Sequence, residues 1–152
     1  MEEDWKKAYQ KELLQFYHHP LGTGPVPEGA FSGWARNRTC GDEVTLSLQV
    51  EDGIIKAVWQ ETRGCAIATA AASLLVKTLP GRDRREVDSL LPSVLEMVRE
   101  GKCENVLGEL QPLRAVHPLS SRHECVAVAV RACEKALAAS TSTGNPAGHG
   151  VR

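Results

Sequence analysis

Three cysteines and one aspartate, from three separate parts of the chain, carry side chains that can bind a metal or handle sulfur. They are Cys40 and Asp42 in a Cys-Gly-Asp tripeptide, Cys65 after a glycine, and Cys125 at the head of an alanine-rich stretch. Zinc and iron-sulfur units take thiolate ligands, and a cysteine binds them after it loses a proton. The set therefore predicts a folded pocket that holds a metal or transfers sulfur.

The local sequence around each of these cysteines favours the thiolate or a shared ligand position. Cys65 and Cys125 each stand at the start of a predicted helix, whose free N–H groups and positive dipole end stabilise negative charge. Gly41 can turn the backbone so that Cys40 and Asp42 point the same way. We therefore expect one thiolate and one carboxylate to share a metal with the other two thiolates.

A set of three cysteines and one aspartate differs from the usual structural zinc site, which is closed by cysteine or histidine. A carboxylate ligand exchanges more easily than a thiolate, which points to a working site. The four anionic ligands exceed the charge of one divalent ion, so a nearby cation such as Arg122 is expected. A binding module with a purely structural zinc is the alternative from another class, and the lack of close Cys-x-x-Cys pairs argues against it. A thiol hydrolase is weaker still, because no motif ties a histidine to one nucleophilic cysteine.

The remaining cysteines and the histidine nearest the predicted pocket receive simpler interpretations. Cys103 and Cys133 are expected to behave as small hydrophobic residues. His123 is expected to lie at the surface, outside the ligand set. Five cysteines is an odd number, which favours free thiols in a reducing compartment over a disulfide framework.

Composition limits the class of protein. The 152 residues suit one domain, and 18 basic against 19 acidic residues give no electrostatic basis for binding nucleic acid or an anionic membrane. The charged N-terminus is not followed by an apolar segment, and the most apolar run, residues 65–76, is shorter than the roughly 20 residues of a membrane span. We therefore expect a cytoplasmic protein.

Hydrophobic periodicity predicts the elements that position the pocket. Alternating residues predict strands at 44–50 and 54–60 around a turn at 51–53, and a short strand is expected at 30–37. Helical spacing predicts the helices, and turn-forming composition predicts a loop at 21–29. The expected helices are 5–17, 65–79, one around 90–98 with Pro92 in its first turn, and 125–139. Residues 140–152 are expected to form a disordered tail.

Three segments together resemble the NifU/IscU-type iron-sulfur assembly proteins. They are Asn-Arg-Thr-Cys-Gly-Asp at 37–42, Gly-Cys-Ala-Ile-Ala-Thr at 64–69 and Arg-His-Glu-Cys at 122–125, and the resemblance covers residues 8–138. The family implies an α+β fold, with a three-stranded antiparallel sheet and helices packed on one side. This fold would occupy residues 1–139 as a single domain.

The resemblance is to the SufU branch of that family. The 60 positions from Cys65 to Cys125 exceed the spacing in IscU-type scaffolds, with the additional residues at about 81–107. The chain also lacks a Leu-Pro-Pro-Val-Lys segment and a histidine directly before the last ligand cysteine. Glu124 stands at that position, where SufU proteins usually carry lysine, so the surface that meets a partner is expected to differ.

The resemblance implies a zinc site whose ligands are Cys40, Asp42, Cys65 and Cys125, with Arg122 in support. Cys40 would accept persulfide sulfur from a SufS-type cysteine desulfurase, so the chain would act as a zinc-dependent sulfurtransferase. Downstream iron-sulfur assembly proteins or apo-proteins would receive the sulfur. The alternative within the family is a scaffold on which a transient [2Fe-2S] cluster is assembled and handed to apo-proteins.

Overall fold

Three strands and four helices form the architecture in the computed structural model, which describes residues 2–102 and 105–142. The chain begins with helix α1 and continues through strands β1 to β3 into helices α2 and α3. Two 3₁₀ segments, Asn105–Val116 and Ser120–Arg122, then lead into helix α4. The bounds are α1 Glu2–His18, β1 Phe31–Arg36, β2 Glu43–Glu51, β3 Ile54–Arg63, α2 Ala66–Thr78, α3 Arg84–Glu100 and α4 His123–Ser142.

The strands form an antiparallel meander in the order β1-β2-β3, as the alternating pattern predicts. Val44, Leu46 and Leu48 of β2 are completely buried, because alternate side chains of a strand point to the same face. Trp34 of the edge strand β1 lies opposite Thr45 of β2, and its exposed side chain is on the outer face of the sheet. The two connections of the meander lie at opposite ends of the sheet, and the β1–β2 connection carries Cys40 and Asp42.

Helices pack on one face of this sheet and form the α+β fold expected from the resemblance. Helix α4 packs on β1 and β2, and α2 packs between β3 and α4. Gly33 lets α4 approach closely, since a Cβ at this position would collide with the backbone of Ala132 and Ala136. This close approach of α4 to the sheet helps to bring its N-terminal turn near the β1–β2 connection.

Helix α3 differs from the sequence-based prediction. It begins at Arg84, where Asp83 caps it by accepting the backbone N–H of Arg85 at 2.8 Å. Pro92 therefore lies inside the helix, and the prediction that it occupies the first turn is wrong. The missing N–H of Pro92 removes one helical hydrogen bond, and burial of the apolar face offsets this loss. That face contains Val87, Leu90, Leu91, Val94, Met97 and Val98.

Two further boundaries differ from the sequence reading. Helix α4 begins two residues before Cys125 and extends through Ser142, three residues into the expected tail. Ser140 is buried there, and its hydroxyl donates to the Leu137 carbonyl at 2.7 Å. Residues 143–152 lie outside the described residues. Within the described ranges, no helix combines the length and apolar character that a membrane span requires.

Candidate metal and sulfur site

The connection between β1 and β2 is a tight loop that directs Cys40 and Asp42 to the same side. The Asn37 N–H donates to the Asp42 carbonyl at 2.8 Å, and the Gly41 N–H donates to the Asn37 carbonyl at 2.7 Å. Gly41 has φ +82°, a conformation that glycine adopts without strain. The Cys40 thiol consequently lies 3.1 Å from Asp42 Oδ2 and donates to it. The predicted role of Gly41 in aligning these two side chains is confirmed.

Asn37 holds the same loop from the inside. The residue is 4% exposed, its Oδ1 accepts the Thr39 N–H at 3.0 Å, and its Nδ2 donates to Cys40 Sγ at 2.9 Å. No role was predicted for Asn37, although it belongs to the segment that carries the family resemblance. The sequence signal that could have found it is an asparagine two residues before a residue in a turn. At this spacing the asparagine side chain often accepts a hydrogen bond from the backbone N–H of that residue.

Cys65 is the N-cap residue of α2, which confirms the prediction that this helix begins at a thiol. Its backbone is extended, and its Sγ accepts the Ala68 N–H at 3.4 Å. The Cys65 N–H donates to Asp42 Oδ1 at 2.9 Å, and the Cys65 Sγ lies 3.5 Å from Asp42 Oδ2. The carboxylate of Asp42 thus joins the β1–β2 loop to the start of α2.

Gly64 is required by this junction in a way that the sequence did not reveal. A Cβ on Gly64 would collide with the side chain of Asp42, at its Oδ1, Cγ and Cβ atoms. The glycine before Cys65 therefore leaves the space that Asp42 fills. The Gly-Cys pair is visible in the sequence, but only the folded chain shows which atoms need the space.

Cys125 reaches the site from the first turn of α4. It is 1% exposed, and burial, followed by hydrogen bonds to Cys65 and Asp42, raises the pKa of its thiol well above the ordinary value. Arg122 lies just before α4, and its pKa is raised by a hydrogen bond to Cys125 and by the nearby charges of Cys65 and Cys40. The predicted cation thus lies beside the thiols.

Cys40, Asp42 and Cys125 form the centre of the site, with one ligand atom from each lying within 4.8 Å of the others. Cys65 stands at the edge of this group through its 3.5 Å contact with Asp42. Burial raises the pKa of Asp42, but hydrogen bonds from Cys40, from the Cys65 N–H and from the other two thiols outweigh it, so the pKa is lowered. Asp42 is 3% exposed, whereas Cys40 is open to solvent.

These donors fit a thiophilic divalent cation. A buried carboxylate is costly unless a cation or hydrogen bonds compensate it, and within the described residues no lysine or arginine forms an ion pair with Asp42. Its side-chain partners are thiols, which become thiolates when they bind a metal. Three sulfur atoms and one carboxylate oxygen from three segments are a donor set that zinc accepts.

Two residues at the start of α4, Glu124 and His123, lie outside the group formed by Cys40, Asp42 and Cys125. Glu124 faces away from it and pairs with Arg99 at 3.3 Å and Arg131 at 3.2 Å. His123 lies outside the cluster and is half-buried rather than fully at the surface, with its Nε2 2.8 Å from the His117 carbonyl oxygen.

Of the two cysteines without a predicted site role, Cys133 is completely buried in the core. This burial raises the pKa of its thiol to about 12. Its small-hydrophobe interpretation is therefore consistent with the structure. Cys103 lies outside the described residues.

Comparisons with known proteins agree with this fold. The family model described as NifU-like N terminal domain matches residues 8–140. The iron-sulfur cluster assembly scaffold protein IscU of Thermotoga maritima is 34% identical over 107 residues, which cover 67% of this chain and 75% of that protein. The zinc-dependent sulfurtransferase SufU of Bacillus subtilis is 24% identical over 132 residues, covering 86% of this chain and 89% of the relative.

A solved structure adds the same relationship in three dimensions. An iron-sulfur cluster assembly scaffold protein for the SUF system, from Fervidobacterium islandicum AW-1, superposes with a TM-score of 0.77 at 26% identity. The match covers 84% of this chain and 94% of the other. The fold and the cysteine-aspartate site thus define a small assembly domain of the NifU type. The chain belongs to the NifU/IscU family of iron-sulfur cluster assembly proteins.

Proposed function

We propose that this chain is a SufU-type protein that binds zinc and accepts persulfide sulfur from a SufS-type cysteine desulfurase. Cys40, Asp42, Cys65 and Cys125 are the ligands, and Cys40 is the acceptor. The observation that carries the proposal is the contrast between an exposed Cys40 and the buried Asp42 and Cys125 less than 4.8 Å away. One ligand of a buried site is thus accessible to a partner.

Each of the four side chains has a distinct part. Asp42 and Cys125 are buried and hold the interior of the site, and Cys65 completes it at the start of α2. Bound zinc would keep the thiols deprotonated at neutral pH. Arg122 balances part of the excess negative charge from outside, where the thiols already raise its pKa.

Sulfur transfer follows the chemistry of thiol-disulfide exchange. The Cys40 thiolate attacks the terminal sulfur of the persulfide on the desulfurase cysteine, and a new S–S bond forms on Cys40. The original S–S bond breaks, and its electron pair leaves with the desulfurase thiolate. One S–S bond replaces another, so the step needs no external oxidant or reductant. The product on Cys40 is then available to downstream assembly proteins or apo-proteins.

The choice of the SufU branch rests on the extent of similarity along the chain. The Bacillus subtilis sulfurtransferase aligns over 86% of the chain, whereas the Thermotoga maritima scaffold aligns over 67% at higher identity. The 60 positions between Cys65 and Cys125 include the whole of α3, which packs against α4. Both features support the SufU type.

A second candidate function is assembly of a [2Fe-2S] cluster on the same side chains. The 34% identity to a protein named as a scaffold favours it. The cluster would then be the cargo rather than a resident cofactor. Anaerobic addition of iron and sulfide distinguishes the two, since a scaffold develops visible charge-transfer absorption that a sulfur acceptor does not.

The test of the proposal begins with metal and acid-labile sulfide per chain, after anaerobic purification without chelators or an affinity metal. About one zinc and no sulfide is expected. A desulfurase assay then compares wild type, Cys40→Ala and the control Cys133→Ala. Loss of sulfur acceptance in Cys40→Ala alone supports the proposal, and acceptance at the wild-type rate by Cys40→Ala refutes the assignment of Cys40.

A further inference from the structure

We infer that Asn37 is the positioning residue for Cys40, whose sulfur it holds by a side-chain N–H whenever that sulfur is not bound to a metal. The contact is Asn37 Nδ2 to Cys40 Sγ at 2.9 Å. The inference deepens the proposed function, on which its meaning for sulfur transfer rests. The contact itself requires neither a desulfurase nor a persulfide.

The orientation of the Asn37 amide is determined by its surroundings. Because Oδ1 accepts the Thr39 N–H at 3.0 Å, the NH₂ group must face the sulfur. The backbone of Asn37 is bonded on both sides, to Asp42 through its N–H and to Gly41 through its carbonyl. A side chain that is 4% exposed and held by these bonds is a preorganised donor.

Cys40 needs such a donor because it is the exposed member of the site. A surface cysteine ordinarily rotates among its staggered side-chain positions. Its other side-chain partner in the described structure is Asp42 Oδ2, at 3.1 Å, which can accept a hydrogen bond but would repel a thiolate. Asn37 instead donates, so it stabilises the sulfur while that atom carries negative charge.

The aspartate variant separates this role from a purely structural one. Asn37→Asp keeps an oxygen that can accept the Thr39 N–H, so the loop turn is retained, but it replaces the donor with an acceptor. Asn37→Ala removes both contacts. Thr39→Ala is the matched control, because it alters the same loop and leaves both the Asn37 amide and the Thr39 N–H in place.

The first experiment measures iodoacetamide labelling of Cys40 in zinc-loaded protein without a desulfurase, with the label located by peptide mass spectrometry. A hydrogen bond to a charged group is expected to raise the population of Cys40 thiolate that is not bound to zinc by about tenfold or more. Labelling in Asn37→Asp should therefore slow by about that factor, with Thr39→Ala at the wild-type rate. A wild-type or faster rate in Asn37→Asp overturns the inference, since a turn-forming role alone would tolerate aspartate.

Two further measurements complete the test. In the desulfurase assay, Asn37→Asp should lower kcat by a similar factor and change KM less than about twofold. If Asn37→Asp fails to fold or to hold zinc, NMR of the metal-free wild type decides instead. The Asn37 side-chain amide resonance should shift on Cys40→Ala, and an unmoved resonance overturns the inference. The two claims can fail separately. If wild-type protein accepts no sulfur but Asn37→Asp is labelled slowly, the proposed function is refuted and the role of the Asn37 contact is retained.

Discussion

Asp42 Oδ1 accepts the backbone N–H of Cys65 at 2.9 Å, so one buried carboxylate connects the β1–β2 loop to the start of α2. Its other oxygen lies 3.1 Å from Cys40 Sγ and 3.5 Å from Cys65 Sγ. Asp42 therefore sets the distance between two thiols that are far apart in sequence. The arrangement depends on space beside Asp42 as much as on the ligands.

Substitution of Gly64 tests that dependence on space. Gly64→Ala would place a methyl group against the carboxylate of Asp42, which would have to move away from the Cys65 N–H. We expect zinc affinity, measured by competition with a chromogenic chelator, to fall by about tenfold or more. We expect a stability loss of about 1–3 kcal/mol from the overpacking.

Gly33→Ala is the contrasting control, because the same added methyl would meet the backbone of α4 instead of a ligand. It should lower the urea midpoint, while zinc affinity in the folded fraction changes less than in Gly64→Ala. Equal zinc affinities for Gly64→Ala and wild type would show that Asp42 does not need its observed position.

Stability at alkaline pH should depend on Cys133. Its pKa is raised from 9.0 to about 12 in the folded protein, so the unfolded chain releases this proton first as the pH rises. The contribution of the neutral Cys133 thiol to the free energy of unfolding is complete below pH 9. It is lost progressively towards pH 12, at about 1.4 kcal/mol per pH unit for a single ideal group.

The measurement compares urea unfolding of zinc-loaded wild type and Cys133→Ala from pH 8 to pH 10. Cys133→Ala loses the volume of the buried thiol, which lowers its free energy of unfolding by the same amount at every pH, and it lacks this titration. The difference in the free energy of unfolding between wild type and Cys133→Ala should therefore shrink as the pH rises. A constant difference across the range would contradict the burial of a neutral thiol.

Glu124 should contribute little to stability, because its two ion pairs lie at the surface. The side chains of Arg99, Arg131 and Glu124 are 38% to 48% exposed, and such pairs contribute less than about 1 kcal/mol. Glu124→Gln should therefore lower the urea midpoint slightly. Glu124→Lys should lower it further, because the lysine would place a third positive charge beside Arg99 and Arg131. High salt should reduce the difference between the two variants, and an undiminished difference would point to packing instead of charge.

Removal of zinc should loosen the site without unfolding the domain. The proposed ligands come from three segments, so a bound metal would add a link among them and raise the melting temperature by mass action. The hydrophobic core between the sheet, α2, α3 and α4 does not depend on that link. Chelation should therefore lower Tm and retain the far-ultraviolet dichroism. Collapse of the dichroism on chelation would show that the metal is needed for the fold.

Much of the fold could be predicted from local pattern. The alternation at Val44, Leu46 and Leu48 determines a half-buried strand, because a pleated strand repeats every two residues. Glycine at position 41 and the small residues after Cys65 marked a turn and a helix start for equally local reasons. The start of α3 was missed because its cap, Asp83, stands well before the apolar residues that signalled the helix. The 3₁₀ segment Asn105–Val116 was not predicted, although buried apolar residues recur there at every third position, which is the period of a 3₁₀ helix: Leu107, Leu110, Leu113 and Val116.

The sequence by itself determined which side chains could form a thiol and carboxylate site, since ligand chemistry depends on residue type. Only the tertiary structure decided that Cys125, 60 positions after Cys65, lies against Asp42, because the packing of α4 on the sheet sets that distance. The donor role of Asn37 and the space at Gly64 likewise depend on where neighbouring atoms lie. Residue type specifies what a side chain can do, whereas packing specifies which atoms it meets.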